Sequence, residues 1–371
     1  MQITALSGKA RGYSRAFERW FPAPRLLSPQ SLGVDISDSS IKWLDLEPAI
    51  DGIKISNHGS SPLNPGIVSG GAVRDVQALG EALALIKSKF SGVERAHAAL
   101  PEEAAYVFNM SVPEKITRDE VMRLIEFEFE GRVPIPPTAA IYDFDVVAEH
   151  GVDGMEIGVV VFPREVAESY AAAFDMAGIE LLSLEIEARS IARAISKPGD
   201  PITLIVDFGI ARTGFALVKE GIPIFTSTVE VGGDAITRAV SDRLSLSPKE
   251  VELFKNEQGL LASGKEYKAI VEAMTATANA LSEEVAKHFH YWDTRRDSKG
   301  ERVTPVGRVL LVGGSANLMG LPEFIAGKVQ APVERGNVWS GVCNFDSYIP
   351  PIDFRTSLQY ATAVGLALRG I

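Results

Sequence analysis

Cysteine is almost missing from this 371-residue chain: Cys343 stands alone. An internal disulfide is excluded, and so is a zinc site built on cysteines, which fits a reducing compartment. Cys343 itself reads as a small core residue. The histidines, His58, His97, His150, His288 and His290, show no ligand spacing. No run of about 18 apolar residues occurs, so no membrane-crossing helix is expected. The first stretch also lacks the apolar core of a signal peptide, and the expectation is a cytoplasmic protein. Positive charge is in deficit, with 37 Lys and Arg against 48 Asp and Glu and a net charge of -11. That balance argues against nucleic acid as the main partner, because phosphate backbones need a basic surface.

What is present is the mix of a soluble globular protein, 46% hydrophobic and 23% charged. The length suits two domains or one bilobal fold. Residues 1–30 differ from the rest. Lys9, Arg11, Arg15, Arg19 and Arg25 are interleaved with Phe17, Trp20 and Phe21, and Glu18 is the single acid. Such a leader either adheres to an anionic membrane face or is a loosely packed terminus.

Along the chain, SLGVDISDSSIKWLDL (31–46) reads as a strand, a Ser/Asp turn and a second strand. A third strand follows over 52–59. Apolar residues at helical spacing over 76–90 predict a helix, and 97–100 a short strand ending at Pro101. Residues 107–177 read as a unit of strand, helix, two strands, helix. Thr117 and Glu120 form a capping box there, and Pro134, Pro136 and Pro137 stop the first helix. ITLIVDFGIARTGFALV (202–218) then repeats the opening pattern. Asp35 and Asp207 each end an apolar strand ahead of a small-residue turn, 172 residues apart. Two similar halves imply two lobes around one cleft. Helices are expected after Gly233, at Ser247-Pro248, over 275–292, 321–329 and 360–368, with a buried strand at 309–312.

The turns are the candidate chemistry. In the first, backbone N–H groups can cradle phosphate oxygens. The Ser39 and Ser40 hydroxyls add donors, Lys42 supplies charge, and Asp35 can hold Mg²⁺ through water. An ordinary polar hairpin tip is the alternative for any one such motif. The second turn offers the same parts in Asp207, Gly209 and Thr213, with Asp207 the second Mg²⁺ candidate. Gly313-Gly314-Ser315, after a buried strand, lets the backbone approach a flat ligand closely.

These three elements resemble the two phosphate loops and the adenosine loop of the actin, Hsp70 and sugar kinase (ASKHA) superfamily. Within it the chain resembles the PilM family of type IV pilus assembly proteins, and FtsA less so, from about residue 31 onward. The stretches that carry this are GVDISDSSIKWLDL, EVGGDAIT (230–237), VELFK (251–255), VLLVGGSANLMGLPEFI and ATAVGLALRG. The resemblance implies an α/β, bilobal actin-like (ribonuclease-H-like) fold with the inserted subdomain of PilM and FtsA. The first lobe would be 31–106, completed by 178–200 and 340–371; the insert would be 107–177 and the second lobe 201–339.

The resemblance also implies ATP and Mg²⁺ as cofactors. It adds Ser37, Gly232 and Gly233 to the nucleotide site, and Glu252 and Lys255 facing the nucleoside. Glu187 resembles the acidic residue that orients attacking water, though a carboxylate favouring a helix dipole is an equal reading. Binding with at most slow hydrolysis is expected. In the family, the groove between the insert and the first lobe takes up the cytoplasmic N-terminal tail of PilN. The implied partners are thus PilN, other pilus platform and motor proteins at the cytoplasmic face of the inner membrane, and further copies of the chain itself.

Two departures stand out. Ser37 replaces the usual glycine, and Asp38 adds a carboxylate beside the expected phosphates. Like charges in a closed site cost energy unless a metal or proton compensates. Asp38 would point to solvent or help hold Mg²⁺, and Arg212 would offset it by pairing with phosphate. Competing readings are an FtsA-like filament former, a type II secretion or mannose-sensitive pilus module, and a metabolite kinase. The kinase would need a carboxylate base for its substrate, and no second motif supplies one. An FtsA-like protein usually ends in an amphipathic membrane helix, and the chain stops after its last core helix.

Overall fold

The computed structural model describes residues 30–49, 52–90, 92–151, 154–296, 300 and 302–371. The basic leader, up to residue 29, lies outside them. Strand β1 (Leu32–Ile36) is buried along its whole length, the pattern of a central strand covered on both faces. It runs antiparallel to β2 (Ser40–Ala49), which pairs in turn with β3 (Gly52–Pro62). A short hairpin follows, β4 (Val68–Ser69) and β5 (Ala72–Val73). Helix α1 (Val76–Lys87) is capped by Asp75, whose carboxylate accepts the Ala78 amide. It leads to β6 (Arg95–Leu100), parallel to β1.

The chain then leaves the sheet. Strand β7 (Tyr106–Val112), helix α2 (Arg118–Arg132), β8 (Ala140–Gly151) and β9 (Gly154–Pro163) make a three-stranded sheet in the order β7-β9-β8 with one helix. The expected capping box is present: the Thr117 hydroxyl accepts the Glu120 amide, and the Glu120 carboxylate accepts the Thr117 amide. This insert has its own apolar cluster, built around Val121, Ile125 and Phe129 of α2 and Ile157, Val159 and Val161 of β9. Helix α3 (Arg164–Met176), read from sequence as the last element of the insert, packs elsewhere. Its apolar stripe of Ala167, Tyr170, Ala173 and Phe174 joins the main core against α1. Strand β10 (Glu180–Ile186) then returns beside β6, and α4 (Glu187–Ile195) follows.

The second lobe repeats the first. Strands β11 (Ile202–Phe208), β12 (Thr213–Lys219) and β13 (Ile222–Val229) form an antiparallel meander. Helices α5 (Gly233–Leu244), α6 (Pro248–Glu257) and α7 (Lys268–Asp293) precede β14 (Val306–Val312), which lies parallel to β11. Helix α8 (Leu321–Val329) leads to β15 (Val333–Arg335). The sheet orders are β3-β2-β1-β6-β10 and β13-β12-β11-β14-β15. Each is three antiparallel strands continued by two parallel ones, so the sequence repeat is a repeat of topology.

The chain closes on itself through α9 (Phe354–Ser357) and α10 (Ala361–Ala367). Helix α10 returns to the first lobe and packs on β1 and α4. The approach is too close for side chains. A Cβ on Gly33 would strike the backbone of Ala363 and Ala367, and one on Gly365 would strike the Ser190 carbonyl.

Candidate functional site

The two strand-end turns correspond in register and share a closing hydrogen bond. In the first, the Ser37 amide donates to the Ser40 carbonyl (2.9 Å); in the second, the Gly209 amide donates to the Arg212 carbonyl (3.0 Å). The same 172-residue offset relates Asp35 to Asp207, Ser37 to Gly209 and Ser40 to Arg212. Because each turn closes on its own outer residues, the amides between them are left over. Those of Asp38 and Ser39, and of Ile210 and Ala211, donate to no other group among the described residues. All four residues line one cavity of about 580 Å³ between the lobes, within the size range of cofactor sites.

Ten of the sequence-predicted residues meet at this cavity: Asp35, Ser37, Ser39, Ser40, Lys42, Glu187, Asp207, Gly209, Gly313 and Gly314. Ser37 reinforces its own turn, its hydroxyl accepting the Ser40 amide (3.2 Å). The Lys42 ammonium lies 3.7 Å from Asp35 and donates to the Ser40 hydroxyl (3.2 Å). Gly313 has positive φ and sits where a Cβ would collide with the Asp207 carboxylate, so glycine there is a packing requirement.

The other six do not line the cavity. Thr213 is buried and donates to the Val231 carbonyl. The Ser315 hydroxyl and the Gly233 amide both donate to the Gly209 carbonyl (2.9 and 3.0 Å), fixing the second turn from beneath. A Cβ on Gly232 would collide with Ile210 and Ala211 of that turn. Lys255 is buried and donates to the Gly233 carbonyl, the Thr237 hydroxyl and the Glu252 carboxylate. Every proton of that ammonium is used, which is how a buried lysine is tolerated. Glu252 is half exposed.

Asp38 and Arg212 both line the cavity and are held by partners that the sequence did not point to. Asp38 accepts the Gly70 and Gly71 amides (3.0 and 3.1 Å) and pairs with Arg212 (3.3 Å). It is held by the β4–β5 hairpin rather than pointing to solvent. Arg212 also pairs with Glu103.

Two further acids were invisible to sequence reasoning. Glu102 and Glu103 follow β6 in the turn Glu102–Ala104, where PEE reads as a surface turn. Glu102 is buried, and its carboxylate accepts the Ala188 amide at the start of α4 (3.0 Å). Its other oxygen has no partner among the described residues.

The cavity wall carries five carboxylates, Asp35, Asp38, Glu102, Glu187 and Asp207, against two cations, Lys42 and Arg212. Proton affinities respond. Burial pushes Asp207 up to about 6, with Asp35 adding repulsion. Burial raises Glu187 well above its ordinary value, Asp35 again adding to it. Glu102 is raised to about 7, chiefly by burial. Burial raises Asp35 too, against the pull of Lys42 and Arg212. Asp207 and Glu187 retain some surface, but the walls of the cleft enclose them, and enclosure is what disfavours their charge. Among the described residues no three acids, histidines or cysteines converge as direct metal ligands.

A second hollow, of about 210 Å³, lies between the insert and the first lobe. Consecutive residues 141–145 of β8 and 184–186 of β10 line it. A strand face presents alternate residues, whereas a strand edge presents all of them. Both β8 and β10 are outermost strands of their sheets. Leu100, Phe162 and Leu184 supply apolar surface, and Asp143, Asp145, Arg189 and Arg369 a polar margin.

The family described as type IV pilus assembly protein PilM matches residues 33–371. A chain of the solved "PilM-PilN type IV pilus biogenesis complex" is similar at a TM-score of 0.74 and 20% identity, covering 92% of this chain and 99% of that one. MreB5 of Spiroplasma citri bound to ADP is similar at a TM-score of 0.52 and 13% identity, covering 91% and 95%. The cell division protein FtsA of Streptococcus pneumoniae serotype 2 (strain D39 / NCTC 7466) is 25% identical over 175 residues, 44% of this chain. That match spans 38% of FtsA, well under half of its length. The architecture is the bilobal actin-like fold.

Proposed function

The chain belongs to the family of the type IV pilus assembly protein PilM, and from that premise we propose that it is a nucleotide-binding scaffold that holds a PilN-type cytoplasmic tail. The observation that carries the reading is the hollow between two outermost strand edges. An extended peptide can pair its backbone with β8 or β10 while apolar side chains enter between Leu100, Phe162 and Leu184. A membrane protein's tail held there would keep the scaffold at the cytoplasmic face of the inner membrane. No helix among the described residues is long and apolar enough to cross a membrane.

The cleft fits a nucleotide with Mg²⁺. The leftover amides of Asp38, Ser39, Ile210 and Ala211 are donors suited to phosphate oxygens. Gly314, on the cavity wall beside Gln359, leaves room for a flat base or sugar. The excess of carboxylates over cations could not accept a polyphosphate unaided, so the donor set calls for a divalent ion. With no convergent ligand cage, Asp35 and Asp207 would hold hydrated Mg²⁺ through its waters. The ion would neutralise phosphate charge. Glu187 faces the same cavity and would orient a water, but binding rather than rapid turnover is the role. A nucleotide would set the angle between lobes only by binding one arrangement better than another.

One calorimetric experiment tests both halves. MgATP and the tail peptide of the cognate PilN are titrated separately into the wild-type protein, Asp207→Ala and Ile141→Asp. Ile141 is 41% exposed on the β8 edge, so the substitution leaves the core intact. Asp207→Ala should lose ATP and keep the peptide; Ile141→Asp should lose the peptide and keep ATP. A folded wild-type protein that binds neither ligand sinks the reading.

A further inference from the structure

Both cations lining the cleft are already engaged by the protein. Lys42 stays within its own hairpin, beside Asp35 and Ser40. Arg212 does not: it belongs to the second lobe, and its partners Asp38 and Glu103 belong to the first. Asp38 is fastened by the Gly70 and Gly71 amides, and the Gly71 carbonyl in turn accepts the Tyr170 hydroxyl of α3 (2.8 Å). Glu103 lies in the short turn just before β7, where the chain passes into the insert. Arg212 also directly follows Ile210 and Ala211, whose leftover amides face the same cavity. The side chain is therefore placed between the first-lobe acids on one side and, on the other, the leftover amides that would hold phosphate.

Resting on the nucleotide reading, we propose that Arg212 is the residue by which the cleft tells a nucleoside triphosphate from a diphosphate, exchanging Glu103 and Asp38 for oxygens of the terminal phosphate. A guanidinium binds phosphate with the same two-pronged geometry it uses for carboxylate, and the phosphate carries more charge. A diphosphate lacks that outer group, and Arg212 then stays on the first lobe. The exchange frees Glu103 at the root of the insert, so nucleotide state reaches the peptide-binding unit through one side chain. Arg212 acts as a specificity residue and, until the exchange, as a tie between lobes.

The test compares affinities for MgADP and for the magnesium complex of the imido analogue of ATP, by calorimetry, in wild type, Arg212→Gln and Glu103→Gln. Arg212→Gln should weaken the triphosphate about tenfold more than the diphosphate, the scale of a charge-assisted phosphate contact. Glu103→Gln removes a competitor for Arg212 and should shift the same ratio the opposite way, by about threefold or more. A role in folding alone cannot produce opposite signs. If both substitutions change the two affinities in parallel, or Glu103→Gln leaves the ratio untouched, the exchange is wrong while the nucleotide site stands. If wild-type protein binds neither nucleotide, the site reading falls and the exchange with it.

Discussion

Glu102 holds a proton where most glutamates have lost theirs. Its pKa is raised from 4.5 to about 7 by burial, and the hydrogen bond from Ala188 only partly offsets this. The sign of the consequence is fixed. A carboxyl raised in the folded state favours the fold below its unfolded pKa, and that contribution fades as pH climbs through about 7. The amount is on the order of 2–4 kcal/mol. Glu102→Gln keeps an acceptor for the Ala188 amide and removes the ionisation. Urea unfolding at pH 5, 6, 7 and 8 should show wild-type stability falling across that range and the variant nearly flat by comparison. An unchanged slope in the variant would assign the loss to another group. Sequence reading missed this residue for a physical reason. Its carboxylate is met by the Ala188 amide of α4, 86 residues further along, and its turn packs on β13; nothing local in PEE encodes either. Asp35 and Asp207 were legible because each closes a run of strand residues beside a turn, a purely local signal.

Helix α10 shows the same divide among elements. Its apolar run announces a core helix, and its limits match expectation closely. Its seat does not follow from its own residues. Gly33 and Gly365, 332 positions apart, admit it to β1 and α4 by having no side chain. Gly33→Ala should therefore destabilise by roughly 1–3 kcal/mol or more, because backbone rather than a flexible side chain must give way. A shift in the urea midpoint with unchanged slope would report it; no shift would mean the helix has room to move. Helix α3 was assigned by order along the chain to the insert, whereas its stripe of Ala167, Tyr170, Ala173 and Phe174 matches α1. Periodicity identifies a buried face and leaves its partner open. The strand pattern of both lobes was readable because the two halves repeat it.

Across the whole molecule, the insert touches both lobes. Lys219 of the second lobe pairs with Glu156 of β9 (2.5 Å). Arg189 of α4 pairs with Asp145 of β8 (2.8 Å) and donates to the Gly221 carbonyl of the second lobe (2.8 Å). Arg189 also lines the hollow between the insert and the first lobe. Arg189→Met keeps bulk and removes both links. Hydrogen exchange should then quicken at the β12–β13 turn and along β8 together, while α8 and β14 stay protected. Faster exchange at one site without the other would show that the insert and second lobe are not joined through this residue. The closure of the first lobe by α10 has a different consequence, one of time. A ribosome adds roughly 5–20 residues per second, so tens of seconds separate the emergence of β1 from that of the helix that covers it. Through that interval a strand with every residue buried in the finished protein has one face bare. The insert, contiguous in sequence and with a core of its own, needs no such wait.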